Sequence, residues 1–258
     1  MAKWAKFPHL GEFNYTATTV KKHWARLHAG DCEPCPTSAE ELAAWVLFHN
    51  GEFQEAVDTG LKAGGSGITA ANKAACIYAT YLEPKEKARL DLFMAIAHRA
   101  EAQQTREPHN ANAWYLQAYA LGRYSQGISV AKALAEGLGT KVRKALETTL
   151  KLAPKHADAH IALAAFHAEV IDKVGALIGG MTYGAKKDTG LKHYQNALAL
   201  NPHSAIAMIE YANGMVMLEG DKRMEEATEL YVQAANCTPA DAMERLDVEM
   251  AKAELEEE

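Results

Sequence analysis

The sequence predicts an all-α protein: a right-handed α-solenoid of about five helical hairpins, with two insertions between paired helices. Two observations predict it. Of 258 residues, 48% are apolar and only eight are proline, while alanine is abundant, so helix is favoured over strand. A fixed spacing of small and large residues also recurs between prolines, as a helical repeat requires.

The recurrence is anchored on Pro108 (REPHNA), Pro154 (LAPKHA), Pro202 (LNPHSA) and Pro239 (CTPADA). Six residues after the first three stand Trp114, His160 and Met208, all large; ten residues after them stand Ala118, Ala164 and Ala212, all small. Gly190, Tyr194, Ala197 and Pro202 repeat as Ala227, Tyr231, Ala234 and Pro239, with the same steps. Small side chains let one antiparallel helix settle into the groove of its partner. The large residue fills the gap between neighbouring hairpins, and proline ends the second helix because it cannot continue the ladder.

Read in order, residues 1–37 form an N-terminal segment with one helix. Residues 38–108 hold degenerate repeats, opened by Ser38 with Glu41 three positions on, which predicts a capping box. SAEELAAWVLFHNGEFQEAVDTGLKAG matches the repeat through Asn50-Gly51, Phe53 and Ala56. Residues 109–239 carry the clearer repeats, and 240–258 form an amphipathic capping helix with an acidic tail, which closes the end of a repeat stack.

The pattern resembles the tetratricopeptide repeat (TPR), a helix–turn–helix unit of ~34 residues. AIAMIEYANGMVMLEGDKRMEEATELYVQAANCTP, residues 205–239, matches it best. From about Trp114 to Asp247, stretches such as HADAHIALAAFHAEVIDKVGALIGGMTYGA and TPADAMERLDVEMAKAEL resemble bacterial TPR proteins of undefined function. More distantly, the chain is similar to the regulator of microtubule dynamics family, through an apolar insertion before a helix ending Ala197-Leu198-Ala199-Leu200-Asn201-Pro202. It is also similar to TatT-like repeat proteins associated with TRAP transporters. These resemblances imply an all-α solenoid that acts by binding.

The proline-to-proline gaps are 46, 48 and 37 residues, so two of the three exceed a ~34-residue unit by about a dozen residues. The excess falls at 123–140 and 172–188, between the two helices of each unit. VGALIGGMTYGA, within the second insertion, has four glycines and no charge. It fails the P-loop pattern, because Gly184 is followed by Ala185 rather than Lys and a helix precedes it instead of a strand. The insertions are expected either to widen one edge of the solenoid or to fold over its concave face.

That face is lined by the first helix of each unit. Turn-spaced stripes run Asn112, Tyr115, Tyr119, Arg123; then Asp158, Ile161, Ala165, Glu169; then Ile206, Ile209, Asn213, Met217, with Tyr183 supplied by the insertion. Aromatic, charged and aliphatic groups together suit a protein segment, a peptide or a hydrophobic small molecule of amphiphilic character.

Two other classes compete with a non-enzymatic binding scaffold. His160, His167 and Glu169 fall near one face and could hold a metal; yet the two histidines occupy the places of Trp114 and Leu121, where packing explains them, and they are expected to be buried and hydrogen-bonded. A structural homo-oligomer assembled through the insertions is the second. Cys32-x-x-Cys35 lacks the βαβ context of a redox pair and a partner pair for zinc, so reduced thiols are expected and no cofactor or metal is assigned. No nucleophile elbow, zinc-protease or dinucleotide motif occurs, so no enzyme is predicted. A net charge of −6 argues against a nucleic-acid partner. MAKWAKFPHLGEFNY lacks the apolar run of a signal peptide, and no window reaches the ~20 apolar residues of a membrane span, so a cytoplasmic location is expected.

Overall fold

A computed structural model describes residues 3–257. Among these residues the regular structure is helical throughout, with fourteen α-helices: α1 (Ala17–Leu27), α2 (Ala39–His49), α3 (Phe53–Ala63), α4 (Gly67–Tyr81), α5 (Glu86–Arg106), α6 (Ala111–Gln126), α7 (Val130–Ala135), α8 (Leu138–Leu152), α9 (Ala157–Val174), α10 (Ala176–Tyr183), α11 (Lys187–Leu200), α12 (Ala205–Glu219), α13 (Met224–Ala235) and α14 (Ala242–Glu257). Helix packing pairs α2 with α3, α4 with α5, α6 with α8, α9 with α11 and α12 with α13, and this is a TPR-like α-solenoid fold. Both insertions contain a short helix of their own, α7 in the first and α10 in the second.

Two compact units make up the chain. The first comprises 1–28, 32–152 and 240–243; the second comprises 29–31, 153–239 and 244–258. The division falls between the hairpins α6/α8 and α9/α11, inside the block of clearer repeats.

Each of the better repeats starts in the same way. Asn110, His156 and Ser204 stand two residues after Pro108, Pro154 and Pro202, and each side chain accepts from a backbone N–H in the first turn of its helix: Ala113, Ala159 and Ala207. Such a cap satisfies one of the four donors that a helix leaves unpaired at its start. Ser38 caps α2 through the Glu41 N–H at 3.3 Å. The predicted return bond is replaced: the Glu41 carboxylate accepts the backbone N–H of Ser66 at 3.2 Å, so it ties α2 to the start of α4 rather than closing a capping box.

In the first unit, the segment just before α14 is anchored by buried polar groups. Tyr15 donates its hydroxyl to the Ala240 carbonyl at 2.7 Å, and Asp241 lies 2.6 Å from His49 Nδ1. His49 Nε2 is in turn 3.3 Å from His28 Nε2. All three titratable groups are buried, so the carboxylate and both imidazoles answer one another in place of water.

The small residues predicted at helix crossings are buried: Ala118, Ala164 and Ala212 are at most 2% exposed. In the second unit Gly190 of α11 lies against the Ala164 carbonyl and the His167 side chain of α9. One step on, the fully buried Tyr194 ring of α11 fills the space beside Gly214 of α12 and stacks on Tyr211, with centroids 5.2 Å apart. Ile161, Ala164, Tyr194, Ala197 and Ala207 form one core cluster there; Met208, Ile209, Ala234, Val248 and Ala251 belong to another, which joins the last hairpin to α14.

A methyl group at Gly214 collides with the Tyr194 ring, whereas one at Gly122, in the interior of α6, meets nothing. Gly122→Ala is therefore expected to stabilise the protein by ~0.5–1 kcal/mol through helix propensity alone. Gly214→Ala should lower stability, because overpacking of ~1–3 kcal/mol outweighs the same propensity gain. Denaturant midpoints of the two variants check this, and equal shifts in the same direction would contradict the packing described.

Candidate ligand-binding surfaces

The stripe proposed for α6 divides by depth. Asn112 is buried and donates to Glu33 Oε2 at 2.6 Å, and Tyr115 is buried with its ring edge towards Tyr119. Tyr119 and Arg123 are half-buried. The Tyr119 hydroxyl is 2.8 Å from Thr80 Oγ1, and the Arg123 guanidinium lies over the Tyr119 ring at 5.5 Å. Burial pushes the Tyr119 phenol up, with Arg123 pulling the other way. Tyr119 and Arg123 therefore present an aromatic–cation surface in the first unit, while Asn112 and Tyr115 have little area to offer.

In the second unit Ile161 and Ile209 are core residues, and Ile206 packs half-buried against the Ile161 cluster. The backbone N–H of Asp158 donates to the Gly30 carbonyl at 3.0 Å, and its carboxylate fills the place a side chain at position 30 would take. Glu169 accepts from Lys173 at 3.4 Å. Tyr183, half-buried, ends α10.

Asn213 and Met217 are placed differently. They line a groove of about 280 Å³, together with Met224 and Tyr231 of α13 and Glu254 and Leu255 of α14. Met217 is 43% exposed and Met224 44%, so two flexible thioethers form open apolar surface rather than core. The Tyr231 hydroxyl donates to Asn213 Oδ1 at 2.8 Å and fixes the phenol across the groove. Ala212, Val216, Ala227 and Thr228 complete the lining, which is mostly apolar with a few oriented polar groups.

The histidines form a cluster of a different membership from the one predicted. His160 Nδ1 lies 2.7 Å from Nδ1 of His193 on α11, and the His167 ring stacks parallel to His193 with centroids 6.3 Å apart. The Pro154 carbonyl, 3.2 Å from His160 Nε2, can only accept, so that nitrogen carries the proton. Nδ1 of His160 is then the acceptor and His193 Nδ1 the donor. His167 Nδ1 accepts the backbone N–H of Lys186 at 3.3 Å, which ties down the end of the second insertion. Trp114 makes the equivalent bond to that of His160, donating its indole N–H to the Pro108 carbonyl at 3.1 Å. His160 thus does the work of a repeat tryptophan.

Glu169 pairs with Lys173, and among the described residues no three His, Cys, Asp or Glu side chains are grouped to hold a metal ion. The proposed His160–His167–Glu169 grouping is corrected accordingly: the third member is His193. Sequence reading missed it because the pairing crosses from α9 to α11; its one signal was a position next to the repeat tyrosine, Tyr194. Cys32 and Cys35 are exposed and form no disulfide among the described residues, and Cys76 is buried, its thiol pushed up to about 12 by desolvation.

Desolvation, reinforced by His160, His167 and Lys192, holds the His193 imidazole down to about 4, and burial lowers His160 as well. Both groups fold as neutral imidazoles, while the unfolded chain protonates near ~6.5. Their contribution to stability is therefore complete above that value and is lost as pH falls through the window towards 4. Unfolding midpoints measured across this range should fall with pH, and His193→Gln, which keeps a donor for His160, should flatten that slope; an unchanged slope would contradict it.

No family model matches the chain, and no curated protein matches it. Among solved structures, the crystal structure of TTC0263, a thermophilic TPR protein of Thermus thermophilus, superposes with a TM-score of 0.58 at 14% identity, over 83% of this chain and 97% of that one. At that identity the likeness speaks for the fold. The paired helices, the buried alanines at their crossings and this neighbour agree: the chain has the fold of a tetratricopeptide-repeat protein.

Proposed function

We propose that the chain is a non-enzymatic binding scaffold of the cytoplasm, holding a protein segment or an amphiphilic ligand on surface left open by the first helices of its hairpins. The observation that carries this is the groove beside Asn213 and Met217, where apolar side chains stay solvent-facing although the same helix buries Met208, Ile209 and Met215 in the core. Polarizable, unbranched methionines adapt to varied apolar partners, and Asn213, Tyr231 and Glu254 add the few polar groups that orient one. Tyr119 and Arg123 offer a smaller surface in the first unit.

Native mass spectrometry of the protein purified from cells should detect a bound partner or ligand, and the double change Met217→Asp, Met224→Asp should remove it. A wild-type spectrum of the bare chain alone, or added mass that the double variant keeps, counts against this function.

A second reading, self-assembly through the insertion, draws on α10. Leu177, Ile178 and Met181 are 76%, 58% and 82% exposed and share one side of that helix. If this face joins copies, sedimentation velocity should show an assembly that Leu177→Asp with Met181→Asp reduces to monomer. A wild-type monomer removes the case for it.

A further inference from the structure

We propose that the groove between α12, α13 and the end of α14 is a receptor for a basic amphipathic segment of a partner protein, an inference that rests on the binding function proposed above and names the partner's chemistry. Three features of the groove select it.

The first is size. At about 280 Å³ the cavity falls below the ~300–1,000 Å³ that encloses a drug-sized ligand. It is large enough for the anchoring side chains of a longer chain whose remainder lies along the rim. A segment with apolar residues at helical spacing supplies such anchors, and the methionine floor reshapes to fit them.

The second is the rim. On α13 the groove-lining residues Met224, Ala227, Thr228 and Tyr231 follow a helical stripe, and Glu225 and Glu229 each stand one position beyond a lining residue, on its flank. Glu254 is itself part of the lining. All three carboxylates are exposed.

The third is what surrounds those carboxylates. Nearby cations are already engaged: Arg223 pairs with Glu219 and Glu226, and Lys252 with Glu249. Among the described residues Lys222, in the short 3-10 helix before α13, makes no such pair, and the exposed Glu256 adds to the other side of the balance. Glu225, Glu229 and Glu254 make no ion pair among the described residues. An apolar floor edged by uncommitted negative charge complements a partner with an apolar stripe flanked by lysine or arginine. An acidic or neutral amphipathic segment would meet repulsion or no steering at the same rim.

The test uses the full chain and two labelled synthetic helices of about five turns, one Leu/Lys and one Leu/Glu, with identical leucine positions. Fluorescence anisotropy should show the Leu/Lys helix binding at least about tenfold more tightly, with the preference shrinking as salt rises from about 0.05 to about 0.5 M. Glu225→Gln, Glu229→Gln and Glu254→Gln together should remove most of the preference while circular dichroism stays unchanged. Met217→Asp with Met224→Asp should abolish binding of the Leu/Lys helix, even though it adds negative charge.

Equal binding of the two helices, or preference for Leu/Glu, overturns the basic partner and leaves the groove as a binding site. Binding of neither helix overturns the inference. Leu/Lys binding untouched by the methionine changes also overturns it, because the charge attraction would then lie elsewhere on the chain. The binding-scaffold function itself fails separately, on the native mass spectrum.

Discussion

Close approach of paired helices at small residues is the constraint on which the second unit depends. Gly190 lets α11 lie against the Ala164 carbonyl of α9, and nearly everything described there follows from that separation. With the axes this near, His193 reaches His160, and Tyr194 reaches across to the bare face of Gly214 on the next hairpin. A wider spacing would part the imidazoles and leave a void around the tyrosine. Packing of this kind is bistable rather than elastic, because interiors have no slack to distribute.

Repeat equivalence in this chain is a matter of bonds made, not of residue type kept. Trp114 and His160 differ in size, charge capacity and aromatic area, yet each donates a ring N–H to the carbonyl of the proline six residues earlier. The substitution of imidazole for indole changes what else the position can do. A tryptophan there is inert to pH, whereas a histidine offers its second nitrogen to His193 and so couples the packing of α9 and α11 to proton concentration. The insertion is drawn into the same network through His167, which holds the Lys186 N–H where α11 begins.

Open apolar surface appears at two places in the second unit. Beside the last hairpin, Met217 of α12 and Met224 of α13 line a groove with Glu254 and Leu255 at the end of α14. The second insertion makes its own exposed face by another route. Gly175 and Gly184, both at positive φ, let the chain leave α9 and turn back into α11, and α10 is held between them with Gly179 packed against Val170 and its leucine and methionine outward. What reads in sequence as a glycine-rich loop is therefore a short helix between two positive-φ positions that favour glycine.

The sequence by itself determined the architecture. Prolines 108, 154, 202 and 239 punctuate it, the alanines at 118, 164 and 212 mark the crossings, and both signals are local, since backbone sterics and side-chain volume act over one or two turns. It also showed that His160 and His167 hold packing positions. Tertiary structure alone decided which stripe residues stay open: Ile209 and Asn213 are four apart on one helix, yet one is core and the other lines the groove, because depth depends on what the neighbouring helices cover. The His160–His193 pair, the Glu41 bond to Ser66 and the Asp241–His49–His28 chain were equally out of reach, since each joins residues brought together by how the helices pack and not by spacing along any one of them.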